Sequence, residues 1–356
     1  MPVLRSIRER FAAERPLDGV RAGACLHITA ETANLVDALV AGGAEVALCP
    51  ANPLSTREEI VAALEDRDGV EVHAARGDYA RHVRAVAEWG PGILLDDGAD
   101  LIAAVRTLGG EPIGAMEETA TGLVLLRRMA AAGALPFPVL AVNEAQSERS
   151  INDRHGLGQS AVDGILRATN ILLAGQTLVV IGYGWAGKGV AVRGRGAGAA
   201  VVVCEVDPLR ALEARMEGFE VMGALAAAER GDVFVTVTGV PSVLRGEHFE
   251  RMKDGAVLAN AGHFDVEIDR DALRSRAVGG VREVRPLVEE FDLGGRRLYL
   301  LAEGRVVNLA AAEGHPAAVM DVSFAVQALG AEGLVRAGAS LAPGVHAISP
   351  DRKSVV

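Results

Sequence analysis

The segment Thr177–Gly189 reads TLVVIGYGWAGKG, an apolar run that ends on Gly182-x-Gly184-x-x-Gly187 and opens into a helical pattern. That order specifies a strand, a tight turn and a helix packed back on the strand. The first glycine permits the turn, the second lets the backbone approach a pyrophosphate, and the third lets helix and strand pack closely, with the helix N-terminus facing the anion. The next apolar strand, Val201–Val203, delivers Glu205 about 20 residues on, where a carboxylate accepts the adenosine ribose hydroxyls and repels a 2′-phosphate. The pattern predicts NAD rather than NADP, held by Gly182, Gly184, Gly187 and Glu205. Two other readings compete: a Gly-rich turn that binds nothing, and a phosphate-binding loop, since Gly182 to Lys188 also spells GxxxxGK. The second fails at Gly189, where Ser or Thr would have to ligate Mg²⁺.

The same alternation runs through the chain. From Gly23 to about Val142, apolar runs at Ala24–Ile28, Glu45–Cys49, Val70–His73, Ile93–Leu95 and Val139–Val142 read as strands. Between them Thr32–Ala41, Arg57–Leu64, Tyr79–Trp89 and Gly122–Ala132 place Ala, Leu and Val at helical spacing. A second series, Leu178–Ile181, Ala200–Glu205, Val233–Val237 and Ala256–Asn260, runs to about Leu301, and helix resumes after Asn308. This predicts an α/β protein of two doubly wound parallel sheets of Rossmann type. The boundary is expected in the turn-rich stretch Asn152–Gln159.

The 356 residues suffice for two domains at about 100–200 residues each. A net charge of −11 and only 4% aromatics oppose binding to nucleic acid or to an anionic membrane. Cys25, Cys49 and Cys204 lack CxxC spacing, so neither a disulfide framework nor a cysteine zinc site is expected, and a reduced cytoplasm is. Met1–Pro16, with Arg5, Arg8 and Arg10, lacks the apolar core of a signal peptide. No apolar run approaches the ~20 residues that span a bilayer, so the protein is expected to be soluble. The eight histidines include no HExxH, and no metal is expected.

Polar groups gather at the C-terminal ends of the expected strands, where open α/β sheets bind ligands. They are His27, Thr29 and Glu31, then Asp96 and Asp97, Glu117 and Glu118, Asn143, His263 and His315. Adjacent acids can raise one another's pKa into the working range of a general base. Each also has a plain reading: Asp97 as a helix cap, Glu117 and Glu118 as partners of a helix N-terminus, and His73, His82 and His248 as solvated side chains.

In order and spacing, a series of motifs resembles the S-adenosylhomocysteine hydrolase family from about Ala24 to Val345. They are Cys25-Leu-His-Ile-Thr-Ala-Glu-Thr-Ala, Asn52-Pro-Leu-Ser-Thr, Leu95-Asp-Asp-Gly-Ala-Asp-Leu, Glu117-Glu-Thr-Ala-Thr-Gly, the glycine fingerprint, Met252-Lys-Asp-Gly, Gly262-His-Phe-Asp-Val-Glu-Ile-Asp, Leu301-Ala-Glu-Gly-Arg-Val-Val-Asn-Leu and Gly314-His-Pro-x-x-Val-Met. The resemblance implies a substrate domain, 1–155 with 316–356 returning to it, and an inserted NAD domain, 156–315. It also implies a redox-neutral reaction on an adenine nucleoside. The 3′-hydroxyl is oxidised by bound NAD, the C4′ proton is removed, the 5′ substituent leaves, water adds and the ketone is reduced again. By position, Thr29, Glu31 and His315 would hold the adenine, with Met320 beside them. Asp97 would be the C4′ base, His27 would assist the leaving group and Glu118 would hold the ribose hydroxyls. His263 and Phe264 would gate the cleft, and Thr119, Thr121, Glu205, Asn260 and Asn308 would contact NAD. A homo-oligomer, dimer or tetramer, is implied as well.

The match breaks at one place. The family carries a VNDSxTKxxFDN-like stretch whose Lys, Asp and Asn surround the 3′-hydroxyl, whereas this chain has Glu148, Asn152 and Asp153 at those positions. Glu148 or Asp153 then serves as base there, or Arg149 as cation. The expectation that follows is an enzyme of this type acting on a divergent substrate, for example by dehydration to a 4′,5′-unsaturated nucleoside. The alternatives are a genuine S-adenosylhomocysteine hydrolase and a degenerate protein that binds NAD or adenosine without turnover. The family's C-terminal extension, which reaches the neighbouring subunit's NAD, is not found after Pro350-Asp-Arg-Lys-Ser-Val-Val, so tight NAD retention is not expected to follow from the resemblance.

Overall fold

The computed structural model describes residues 1–52, 56–74, 78–337 and 340–348. Pro53–Ser55 of the Asn52 motif and the tail from Pro350 lie outside the described residues. The chain divides into two compact units, Met1–Glu148 with Ala317–Val356, and Arg149–Pro316.

In chain order the strands are β1 (Arg21–Leu26), β2 (Glu45–Pro50), β3 (Val70–Val72), β4 (Ile93–Asp96), β5 (Gly114–Glu117) and β6 (Pro138–Ala141). Then come β7 (Thr177–Ile181), β8 (Ala200–Cys204), β9 (Glu220–Val221), β10 (Val233–Thr236), β11 (Ala256–Asn260), β12 (Val281–Arg285), β13 (Val288–Asp292), β14 (Arg297–Leu301) and β15 (Gly344–Ala347). The first unit is a parallel sheet in the order β15-β6-β5-β4-β1-β2-β3. The second is ordered β12-β13-β14-β11-β10-β7-β8-β9, with β13 antiparallel to both its neighbours. Both sheets reverse their winding once, between β4 and β1 and between β10 and β7. Such reversal points open a crevice at the strands' C-terminal ends.

Helices cover both faces of each sheet, which is why the strands read as unbroken apolar runs. Successive residues alternate between the two cores: Ile93 and Leu95 pack on one face of the first sheet and Leu94 on the other, as do Leu178 and Val180 against Val179 and Ile181 in the second. Strands β5 and β15 and the β12–β14 hairpins were not among the expected elements. The stretch Asn152–Gln159 is not turn-rich but helical, because a π-helix over Glu148–Leu157 runs directly into the helix Gly158–Thr169. Its glycines mimic turn signals for a packing reason: a Cβ at Gly158 would stand 2.5 Å from the Gly189 backbone.

One helix, Ala317–Ala337, is 21 residues long and apolar enough by length and composition to cross a membrane, contrary to the expectation that none would be. Its buried polar residues show that it is a core helix of the first unit. Asp321 accepts the Val3 and Leu4 amides at 3.0 and 2.7 Å, capping the helix Pro2–Glu14, and Glu332 pairs with Arg10 at 2.6 Å. These bonds tie the returning segment to the chain's beginning. His248, expected to be solvated, is buried instead, with Nδ1 accepting the Arg245 amide at 3.2 Å. His73 is half-buried and lies 2.9 Å from Glu71.

Candidate active site

In the second unit the glycine fingerprint sits at the β7/β10 reversal point. Gly182 has φ +104°, and a Cβ there would lie 2.7 Å from the Val237 carbonyl, so only glycine makes this turn. A Cβ on Gly187 would collide with the Gly182 carbonyl. Gly184, by contrast, faces open space, with nothing nearer to its Cβ position than Arg210 at 3.9 Å, and it begins the helix Trp185–Gly196 without a side-chain cap. Backbone free of a side chain at an uncapped helix start suits a pyrophosphate. Glu205 follows β8, and its carboxylate is fixed by the amides of Tyr183 (2.7 Å), Val206 (2.7 Å) and Asp207 (3.0 Å). Lys188, which a phosphate-binding loop would aim at its ligand, is nearly buried, paired with Glu213 and 5.0 Å from the Trp185 ring. Position 189 admits no side chain, since a Cβ would strike the Arg154 carbonyl.

Two polar atoms expected to face the cofactor are buried and have no hydrogen-bond partner among the described residues: Thr121 Oγ1 in the first unit and Asn308 Oδ1 in the second. A buried hydroxyl or amide without a partner is costly, which marks both as atoms that a ligand completes. Thr119 and Asn260 stand differently. Thr119 caps the helix Ala120–Ala131, accepting from the Gly122 amide at 3.1 Å and donating to Glu117. Asn260 donates to the carbonyls of Gly262, Phe264 and Gly304 and accepts from Gly262 and Thr236, so its side chain shapes the loop that bears His263 and Phe264. In that loop the two rings meet edge to face at 4.4 Å, and Phe264 is exposed.

In the first unit the β4/β1 reversal point carries the acids. His27 follows β1 and Asp97 follows β4, with Nε2 and Oδ2 3.4 Å apart. Asp97 is not a helix cap. The helix Asp100–Thr107 starts at Ala99, in the left-handed region at φ 67° without a side-chain cap, and it is Asp96 that accepts the Ile102 amide at 2.7 Å. Asp97 itself is buried beside His27. Glu118 follows β5 and accepts Ser323 Oγ at 2.7 Å and Gln327 Nε2 at 2.5 Å. Those two residues were missed in the sequence, although polar side chains four apart on an apolar helix are a readable signal. Glu148 is 1% exposed, and Asn152 is buried with Asp153 half-buried beside it in the π-helix. Thr29 caps the helix Ala30–Ala41 and Glu31 lies in its first turn, half-buried. His315 is half-buried, and Met320 packs against the first unit's core.

Burial drives the Glu118 carboxyl up to about 8, and the charges of Asp97 and Glu148 push the same way against the Ser323 and Gln327 hydrogen bonds. Asp96 is likewise raised to about 8, chiefly by burial. At neutral pH Glu118 therefore holds a proton and can donate. The folded state keeps this proton while the unfolded chain releases it near 4.5, so the stabilisation is complete below 4.5 and is lost as pH rises towards 8. Glu118→Gln should accordingly raise the melting temperature of the NAD-free protein more at pH 9 than at pH 6. Parallel shifts at both pH values in a thermal-melt series would contradict the raised carboxyl.

Residues 153–314 match the family described as S-adenosyl-L-homocysteine hydrolase, NAD binding domain, and residues 1–112 match S-adenosyl-L-homocysteine hydrolase. Adenosylhomocysteinase of Aquifex aeolicus is 56% identical over 345 residues, covering 94% of this chain and 82% of that protein. S-inosyl-L-homocysteine hydrolase of Methanopyrus kandleri is 53% identical over 360 residues, covering 99% of this chain and 85% of that protein. Among solved structures, a dipicolinate synthase chain from Bacillus halodurans has a TM-score of 0.50 at 13% identity over 91% of this chain and 99% of that one, a likeness of fold alone. Fold, fingerprint and acid cluster together define an NAD-dependent enzyme built from two Rossmann-like units. The chain belongs to the S-adenosyl-L-homocysteine hydrolase family. That membership sets aside a protein without turnover.

The cofactor is NAD, and Glu205 gives a test of how it is held. Glu205→Arg should weaken NAD binding by about tenfold or more and raise the NADP/NAD affinity ratio, because the ribose hydroxyls lose their acceptor. A titration that returns an unchanged ratio would remove Glu205 from the site.

Proposed function

We propose that the enzyme cleaves the C5′–S bond of a purine nucleoside thioether of homocysteine, releasing the nucleoside and homocysteine. Bound NAD supplies a reversible two-electron oxidation at C3′, which acidifies the C4′ hydrogen. The first unit acts as the substrate domain. Asp97 removes the C4′ proton, and His27, held 3.4 Å from it, protonates the departing sulfur and then guides water to the vacated C5′. Glu118, protonated and anchored by Ser323 and Gln327, donates to the ribose hydroxyls. Glu148 takes the 3′-hydroxyl proton during oxidation and returns it at the end. Thr29 and Glu31 hold the base. A carboxylate at Glu31 accepts from a 6-amino group, whereas a 6-oxo base presents an acceptor at that position, which favours adenine over hypoxanthine.

The His27–Asp97 pair, close enough to the anchored Glu118 to raise its carboxyl, carries this reading. In deuterated water the NAD-loaded enzyme should exchange the C4′ hydrogen of S-adenosylhomocysteine and release adenosine, with S-inosylhomocysteine a poorer substrate. No exchange with either thioether would end the proposal. One observation favours a second reading: a buried acid, Glu148, stands where the family's motif has Lys, which suits loss of a 5′-hydroxyl as water from a divergent nucleoside. The names of relatives at 53–56% identity support the thioether instead.

A further inference from the structure

Behind the acids that face the substrate lies a second row that the chemistry above does not use. Asp96 and Glu117 end adjacent strands and are register partners across β4 and β5. Both are essentially inaccessible to solvent. Glu117 Oε1 accepts three bonds: from the Gly98 amide at 2.9 Å, the Thr119 amide at 2.9 Å and Thr119 Oγ1 at 2.5 Å. Gly98 belongs to the turn that carries Asp97, and Thr119 follows Glu118. Asp96 completes the weave, accepting the Asp97 amide at 3.0 Å through Oδ1 while its carbonyl accepts the Glu118 amide at 3.0 Å. Gly122 is glycine because a Cβ there would overlap the Glu117 carboxylate.

We propose that Glu117 is a positioning residue that staples the turn bearing Asp97 to the turn bearing Glu118, fixing the distance between proton acceptor and hydroxyl donor. The staple needs an oxygen that accepts three donors, not a charge. Oε2 is buried and has no hydrogen-bond partner among the described residues, and burial raises this carboxyl well above the usual range, with the charge of Asp96 adding to it. Glutamine keeps the Oε1 acceptor that makes these three bonds. The proposal rests on the roles given above to Asp97 and Glu118.

The test uses the full-length, NAD-loaded enzyme with Glu117→Gln and Glu117→Ala. Glu117→Ala should lower kcat and C4′ exchange by about 10–100-fold, as sub-ångström misplacement of reacting groups does, with KM nearly unchanged because the base-holding residues are elsewhere. Glu117→Gln should stay within a few-fold of wild type. In hydrogen exchange by NMR, the Gly98 and Thr119 amides should lose protection in Glu117→Ala and keep it in Glu117→Gln. If alanine does not fold, Glu117→Asp, one methylene too short, should show the same kcat loss and amide exposure. A kcat preserved in the alanine or aspartate variant, or a glutamine variant as impaired as alanine, overturns the proposal. A wild type that exchanges C4′ on neither thioether would fail the underlying reading instead, and amide protection that does not depend on Glu117 would still refute the staple.

Discussion

Asp97→Asn is expected to lower turnover by about 10²–10⁴-fold, the usual loss for a general base, while leaving the first oxidation intact. Asn keeps the shape of the side chain and an oxygen beside His27, so the 3.4 Å contact and the turn built on Asp96 should persist. What disappears is the ability to take the C4′ proton. The reaction then halts with the ketone formed and the 5′ substituent in place, and absorbance of enzyme-bound reduced nicotinamide should build up on adding substrate, with no C4′ exchange. Full turnover in this variant, or loss of turnover with no such absorbance, would take the base role from Asp97.

The position of Asp97 was legible only in part. Its place at a strand end was readable, because an apolar run followed by Asp96-Asp97 marks where a parallel strand stops. Which acid caps the next helix was not readable, since capping depends on where the turn swings each carboxylate, and a left-handed Ala99 is invisible in a string of residue types. The NAD half was clearer. Gly182 and Gly187 answer steric demands of the turn and Gly184 leaves its helix start open, a pattern that the motif's spacing already announces. Ser323 and Gln327 stayed hidden because they act on the site through long-range bonds: Gln327 and Glu118 are 209 positions apart in the chain. The antiparallel hairpins escaped for a different reason. Their strand β12 reads VREVR, with four of its five residues exposed, and lacks the continuous apolar run that marked the buried strands.

The break in the family's motif supplies the last large effect. Oxidation at C3′ requires the hydroxyl to lose a proton as the hydrogen on carbon departs, and among the acids of the first unit Glu148 is the one whose sequence position matches the family's ribose-site Lys. Buried at 1% exposure and close enough for its charge to raise the Glu118 carboxyl, it is the acid we assign as the base for that proton. Glu148→Gln should therefore reduce turnover by about 10²–10⁴-fold without any build-up of reduced nicotinamide, because the block now precedes oxidation. The contrast with Asp97→Asn separates the two roles in one assay. The triple change Glu148→Lys, Asn152→Asp and Asp153→Asn then decides between the two substrates. It restores the residue types of the family's motif, so an enzyme for the homocysteine thioether should retain hydrolysis within about tenfold, far from the 10⁴–10⁵-fold discrimination seen when a site is stripped of a hydrogen bond built for its own substrate. A triple variant that loses all thioether cleavage while the native protein dehydrates a 5′-hydroxyl nucleoside would transfer the enzyme to the second reading.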